Sequence, residues 1–449
     1  MKIPLAPPKL DKVLQSAGTN EYARLFGIPP LQEGRYLHWD ELRHRTLPEG
    51  LTPELWWAGI KLARQGMRRE IALRDEHDRP VVFAMPDPVL RALHNIDRQA
   101  AGEIVMVDEG VSGEDRNRYL VSSIIEEAIT SSQLEGAATT REEAKNMLRS
   151  GRGPRDRSER MILNNYHAME RIRELKKEPF SPERIMELHR IISDGVLDNP
   201  GAAGRFRNAD EKISVVDATH TSVLHEPPPA DSLPDRLERL CAFANRSEEA
   251  HPFLHPVIRA IIIHFMLGYD HPFIDGNGRT ARALFYWSMT HSGYWLIEYL
   301  SISRLIKKAP AKYARAYLHT ETDDNDATYF IIHQLEMIEQ AIEGLHEYLA
   351  RKMSEQRSAE SLLRHTPRLA DKLNHRQTAL LSHALRHAGH GYTVESHKRS
   401  HRITTQTART DLTGLASMGL LDQRKPGRAF VFYAPPDLDE RIDAVRSSD

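Results

Sequence analysis

The chain has almost no cysteine: Cys241 stands alone among 449 residues. No intrachain disulfide can form, and a reducing compartment fits such usage. Long apolar runs are missing too; the most apolar stretch, near 260–267, is short and interrupted by His264, too little to span a bilayer. The residues from Met1 to Leu10 hold no basic segment followed by an apolar one, so no secretory leader is read there. A cytoplasmic location with no membrane partner is the expectation. Net charge is nearly absent, at −2, so whole-chain charge points to neither nucleic acid nor a membrane surface. There is no Gly-x-x-x-x-Gly-Lys-[Ser/Thr] loop and no kinase signature set, which removes ordinary P-loop and kinase chemistry. Internal repeats and low-complexity tracts are also lacking. The length still allows two or three domains, each with its own core.

What is present falls into blocks. Residues 1–87 read as an arm and a small α+β unit, with a short helix near Asp11–Phe26, a helix from Pro53 through Arg74 and a strand Pro80–Met85. Residues 88–353 read as amphipathic helices with one interruption. That interruption is a strand pair, Lys212–Val216 and Ser222–His225, closed by Pro227-Pro228-Pro229 and projected as a flap. A charged connector is expected over 354–370 and a tail over 437–449. Between them, 371–436 shows helix, turn, helix and β hairpin, the order of a winged helix-turn-helix. The fold class expected is therefore mainly α, with a β-hairpin flap, a small α+β N-terminal unit and a C-terminal winged helix-turn-helix.

The densest chemistry lies in His271-Pro272-Phe273-Ile274-Asp275-Gly276-Asn277-Gly278-Arg279-Thr280-Ala281-Arg282. Gly276 and Gly278 permit torsions that side chains penalise, so consecutive N–H groups can turn toward one point. The segment runs into a helix whose unpaired N–H groups and positive dipole end complete an anion cradle. Arg279 and Arg282, three apart, lie on one face and can grip further phosphates. Asp275 is a lone carboxylate of the kind that holds Mg²⁺ together with phosphate oxygens and water. His271 can take a proton from an attacking hydroxyl near neutral pH.

This segment resembles the defining motif of the Fic (filamentation induced by cAMP) family, and the resemblance covers roughly 88–352. It implies a Fic-type helical domain and a protein adenylyltransferase, moving AMP from ATP to a Tyr, Thr or Ser of a target protein, itself included. On that resemblance His271 is the general base and Asp275 holds Mg²⁺. Gly276, Asn277, Gly278 and Arg279 bind the α- and β-phosphates, and Arg282 the γ-phosphate, with Thr280 and Ala281 between them in the nucleotide site. The flap residues Ile213, Ser214, Val215 and Val216 resemble the element that covers the nucleotide and aligns the target. Tyr313 matches the first of two tyrosines near adenine; the second position is Ala314, a departure that puts the base contacts in doubt.

Ser131-Ser132-Gln133-Leu134-Glu135-Gly136 resembles the family's inhibitory motif. Gly136 can end a helix in a left-handed conformation. Glu135 would then pair with Arg282 and displace the γ-phosphate, with Ser131 opening the motif. Self-inhibition follows from its place in the same chain. In some family members the same glutamate assists AMP removal, and transfer of another phosphate-containing group also stays open. Family members often dimerise, so a homodimer is a further expectation.

Between Arg364 and Arg428, twelve Lys/Arg face only four acidic residues. Thr405, Gln406 and Arg409 open the candidate recognition helix, and Arg424, Lys425 and Arg428 sit on the candidate wing. Such groups touch phosphates and base edges of double-stranded DNA; protein contact is the competing use of this fold. A reading from another class makes the chain a DNA-binding regulator whose Fic-like domain senses nucleotide.

Overall fold

The computed structural model describes residues 2–101, 113–217, 222–364, 373–401, 403–426 and 429–447, without the side chains of 101, 113–119, 352–364, 399 and 445–447. Two compact units result, Met1–Leu345 and His346–Asp449. Both are mainly helical.

In the first unit the core gathers around helix Pro256–Asp270, nearly all of whose residues are buried. That burial agrees with its apolar composition, Val257-Ile258, Ala260 to Ile263 and Phe265 to Leu267, broken only by Arg259 and His264. Helix Asn277–His291 lies beside it, and helices Gly113–Leu134, Arg157–Leu175 and Pro182–Ser193 pack around the pair. Several starts are written in the sequence. Asp156 accepts from the Glu159 N–H at 2.8 Å, and Ser181 precedes Pro182 at the first helical position. Trp287, wholly buried, stacks on Phe180 with centroids 3.9 Å apart.

The N-terminal residues depart from expectation in three ways. The helix near Asp11–Phe26 is two helices, Leu10–Ser16 and Thr19–Leu25. Gly18 breaks it, its N–H held by Glu21 Oε2 at 2.9 Å. The helix from Pro53 stops at Gln65, before Gly66, and Arg68–Arg74 becomes a strand paired with Pro80–Ala84. Alternating Ile71 and Leu73 face the core there, a period of two that suits a half-buried strand. Nor do residues 1–87 stand apart, because they fold into the first unit. Lys61 Nζ reaches Asp323 Oδ1 at 2.5 Å, Tyr36 donates to Asp326 Oδ2 at 2.6 Å, and Arg64 donates to Tyr329 at 3.0 Å.

Further differences are local. The helix expected from Pro88 to Met106 is Asp87–Ile96 followed by the wider turn Asp97–Ala101; its end lies outside the described residues. The flap ladder is shorter than expected, Val215–Val216 against Val223–His225, antiparallel, so Ile213 and Ser214 precede it as irregular chain. Residues 354–364 are not a connector: they continue helix Thr328–Arg364, since residues 354–364 hold no Gly or Pro to stop it. The rest of the expected connector lies outside the described residues.

The second unit contains helices His375–Arg386, Val394–His401 and Thr405–Ser417 and a three-stranded antiparallel sheet in the order Gly391–Tyr392, Val431–Tyr433, Asp422–Arg424. Its core joins Leu381, Leu412, Leu415, Leu420 and Phe432. The expected tail is a helix, Leu438–Ser447, because Leu438 and Ile442 four residues apart bury against that core. Asp411 is a buried hub, accepting from Arg376 at 2.8 Å and Asn374 at 2.8 Å and facing His397 at 3.1 Å. Arg428, expected on the wing, lies outside the described residues.

Candidate active site

Helix Pro256–Asp270 ends at His271, which takes the left-handed conformation at φ 44°. A residue with a side chain pays for that torsion, although histidine tolerates it better than most. The turn aims the ring back at its own helix, with Nδ1 3.2 Å from the Gly268 carbonyl. A carbonyl only accepts, so Nδ1 carries the proton and Nε2 is left as the acceptor. Burial pushes the His271 pKa below the ordinary histidine value, while the Gly268 bond works the other way.

The loop after His271 is held on three sides. Phe273 has no exposed surface and stacks on His189, with centroids 3.7 Å apart and planes within 4°. His189 Nδ1 accepts from the Gly204 N–H at 3.0 Å, so its Nε2 carries the proton and donates to the Asp275 carbonyl at 2.9 Å. Burial lowers the His189 pKa to about 4, which keeps that tautomer neutral. Arg207 donates from Nε to the His271 carbonyl at 2.9 Å and from its N–H to the Pro272 carbonyl at 2.9 Å, and Nη2 reaches the Pro228 carbonyl. It thereby ties the loop to the proline run behind the flap. Neither His189 nor Arg207 was singled out from sequence; each lies far from the motif, and no local spacing marks it. For His189→Ala, loss of two buried hydrogen bonds and a stacked ring should cost about 2–4 kcal/mol. A thermal midpoint unchanged in that variant would show that the loop holds its shape without the ring.

Gly276, at φ 85°, turns the chain into helix Asn277–His291. That torsion favours glycine, whereas at Gly278 a Cβ would come within 2.1 Å of Glu135 Oε1, so the Glu135 side chain would have to shift. The nest is therefore open to a small anionic group, and a carboxylate oxygen lies against it. Asn277 turns inward, donating from Nδ2 to the Phe273 carbonyl at 2.8 Å and accepting the Phe273 N–H at 2.9 Å. Its side chain thus braces the loop, and only its backbone is left for a phosphate. The Thr280 N–H is spent on the Gly276 carbonyl at 2.9 Å and its side chain is buried, whereas Ala281 lines the cavity. Arg279 has no exposed surface; Nη1 donates to the Ile192 carbonyl at 3.3 Å, Nη2 reaches Asp275 at 3.5 Å, and Nε has no hydrogen-bond partner among the described residues. It offers charge from beneath the loop. These features fit a phosphate. Asp275, with 41% of its side chain exposed, commits one oxygen to the Gly276 N–H and to Arg279, and its other oxygen stands 3.9 Å from Arg157. Among the described residues no group of three metal-ligating side chains occurs. Asp275 is the residue that would hold a divalent cation such as Mg²⁺, which would supply charge against bound phosphate.

Arg282 faces helix Gly113–Leu134. Its Nε donates to Ser131 Oγ at 2.8 Å, and Nη2 donates to the Ser131 carbonyl at 3.0 Å and to Glu135 Oε1 at 2.8 Å. Glu135 stands just past that helix, and Gly136, at φ 92°, turns the chain away. Burial works against the Arg282 charge, but Glu135 outweighs it, and the guanidinium lies above its ordinary range. A cavity of about 210 Å³ joins these groups to the flap. His271, Gly278, Arg282 and Glu135 line one side, Val215 and Leu224 another, and Tyr313, Tyr317 and Glu321 the far wall. Tyr313 is hydrogen-bonded to His264 Nε2 at 2.9 Å. Tyr317, one turn along helix Pro310–Thr322, supplies the second aromatic ring that position 314 lacks. Its i, i+4 spacing from Tyr313 was the signal available in the sequence. Ile213 and Ser214 do not line the cavity, and Thr405, Gln406, Arg409, Arg424 and Lys425 are exposed in the second unit.

Fold and site together define a helical domain with a glycine-framed loop at a helix N-terminus beside a β-hairpin flap. Residues 179–289 match the Fic/DOC family, and the chain carries a Fic domain. It is 33% identical over 120 residues to a protein adenylyltransferase Fic of Nematostella vectensis, covering 26% of this chain and 25% of that one. It is 36% identical over 110 residues to the Drosophila grimshawi protein of the same name, covering 24% and 20%. The chain thus spans a quarter or less of these relatives' length. A crystal structure of a Fic family protein from Desulfovibrio desulfuricans G20 superposes with a TM-score of 0.51 at 17% identity, covering 78% of this chain and 96% of that one. That likeness concerns the fold. Among the described residues no helix is long and apolar enough to cross a membrane.

Proposed function

We propose that the chain is a self-restrained protein adenylyltransferase. The observation that carries this reading is the His271 ring: Nδ1 is spent on Gly268, and Nε2 is left as a base in the cavity that also holds Gly278 and Arg282. The hydroxyl oxygen of a target Tyr, Thr or Ser attacks the α-phosphorus of ATP. The bond from that phosphorus to the bridging oxygen breaks, pyrophosphate leaves, and the hydroxyl proton passes to Nε2. Gly276, Gly278 and the helix N-terminus hold phosphate oxygens, and Asp275 holds Mg²⁺, which would neutralise phosphate charge. The flap edge at Val215–Val216 pairs with the target's backbone. Relatives named protein adenylyltransferase Fic support ATP as the donor and a hydroxyl-bearing protein as the acceptor.

Restraint comes from Glu135, which takes the Arg282 charge and lies against Gly278. Incubation with α-labelled ATP and Mg²⁺, with unlabelled nucleotides as competitors, tests the transfer. Absence of label from the Glu135→Gly chain and any lysate target would overturn it. The lowered pKa of His271 adds a pH signature. Its neutral, proton-accepting form persists below the ordinary value, so the acid limb of the transfer rate should lie below about pH 6.5. An acid limb at or above that value would count against His271 as the base.

For the second unit we propose a winged helix-turn-helix that binds double-stranded DNA. Exposed Thr405, Gln406 and Arg409 begin helix Thr405–Ser417, and exposed Arg424 and Lys425 lie at the end of strand Asp422–Arg424. Duplex binding by the full chain should weaken in Arg409→Ala and Arg424→Ala, each reducing the salt slope by about 1. A chain that leaves duplex DNA unshifted at low salt would favour protein contact instead.

A further inference from the structure

One wall of the cavity is built on a histidine that the transfer chemistry does not use. His225 closes the flap's return strand, Val223–His225, and its side chain is 8% exposed. Nε2 lies 2.7 Å from the Tyr269 carbonyl, and Nδ1 lies 2.8 Å from Glu321 Oε2. A carbonyl oxygen only accepts, so Nε2 carries a proton; a carboxylate only accepts, so Nδ1 carries one too. The ring is held as an imidazolium by two short hydrogen bonds. Its partners lie on different elements. Tyr269 belongs to helix Pro256–Asp270, two residues before His271, and Glu321 to helix Pro310–Thr322, which also carries Tyr313 and Tyr317. One ring therefore joins the flap, the helix that presents His271 and the far wall of the cavity.

We propose that His225 is a positioning residue for the transfer: a doubly bonded cation that sets the flap against the nucleotide cavity and releases it on losing a proton. The positioning role rests on the adenylyltransferase reading; the charge on the ring does not. The groups facing His225 are Glu321, the Tyr269 ring at 4.7 Å, Asp270 with Arg236 bound to it at 2.6 Å, His271, and Glu76 from the turn after strand Arg68–Arg74. Burial opposes the charge, but the Glu321 bond and the neighbouring acids outweigh it, so the proton is held above the ordinary histidine range. The clamp is thus complete below that ordinary value and is lost as pH rises through the raised one. His271 behaves in the opposite sense: burial chiefly favours its neutral form, and the positive charge on His225 adds to that. The two histidines together would give a bell-shaped profile, with the acid limb from His271 and the alkaline limb from His225.

Two measurements decide it. Long-range ¹H–¹⁵N spectra of the native full chain should show both His225 nitrogens protonated at pH 7, and a neutral ring there overturns the proposal whatever the enzyme does. In the Glu135→Gly chain, adding Glu321→Gln should move the alkaline limb of AMP transfer down by about one to three pH units. An alkaline limb that stays in place in a folded Glu321→Gln chain overturns the positioning role. A Glu135→Gly parent that transfers no AMP strikes at the adenylyltransferase reading instead, and the ring spectra still judge the charge.

Discussion

Glu135→Gly chains given ATP and Mg²⁺ should transfer AMP about 10- to 100-fold faster than the native protein, the span of a typical coupling between two competing ligands. The two ligands here are the Glu135 carboxylate and the terminal phosphate of ATP, and both need Arg282. In the native chain Arg282 is 4% exposed and spends Nη2 on Glu135 and Ser131. Removing the carboxylate leaves the guanidinium with its two Ser131 bonds, so the fold survives. The cost in stability should be only about 1–2 kcal/mol, because 29% of the Glu135 side chain faces solvent. The same change clears the space in front of Gly278, where Oε1 now lies. Denaturant midpoints measured beside the labelling rates separate activation from unfolding. A folded Glu135→Gly chain with a native rate would mean that the pair is structural only.

The second large effect is expected at His271, whose removal should slow transfer about 10²- to 10⁴-fold, the usual worth of a positioned base. Choice of substitute matters here. Alanine at φ 44° would be strained by roughly 1–2 kcal/mol, and the loop would shift for reasons unrelated to proton transfer. Asparagine tolerates the left-handed conformation, so His271→Asn tests the chemistry more cleanly. A His271→Asn chain with native stability, intact ATP binding and no transfer is the expected outcome. Retained transfer in that variant would move the base elsewhere among the groups that line the cavity.

Much of the 271–282 loop was legible because it is local. From His271 to Arg282 the parts are contiguous, and glycine torsions and the helix start decide where the N–H groups point. Resemblance of the 131–136 segment to an inhibitory motif implied a meeting of Glu135 with Arg282, and in the structure the two lie at 2.8 Å across 147 residues. Roles inside the loop were less legible. The Asn277 side chain braces Phe273, because its amide fits both the N–H and the carbonyl of that residue four positions back, which leaves its backbone to the phosphate role.

By itself, the sequence determined the helical character of the chain, the anion cradle and the torsions that shape it, since these follow from residue type and near-neighbour spacing. Only the tertiary structure decided what surrounds the cradle. His189 and Arg207 clamp the loop, Tyr317 faces Tyr313, and His225 bridges Tyr269 to Glu321 across the cavity. Each of these depends on the angle and depth at which separate helices pack, a non-local quantity set by the buried core. Packing also decided that Arg68–Arg74 is a strand and that residues 1–87 join the first unit. A short segment can satisfy two local patterns, and the partner it meets in the folded chain selects one.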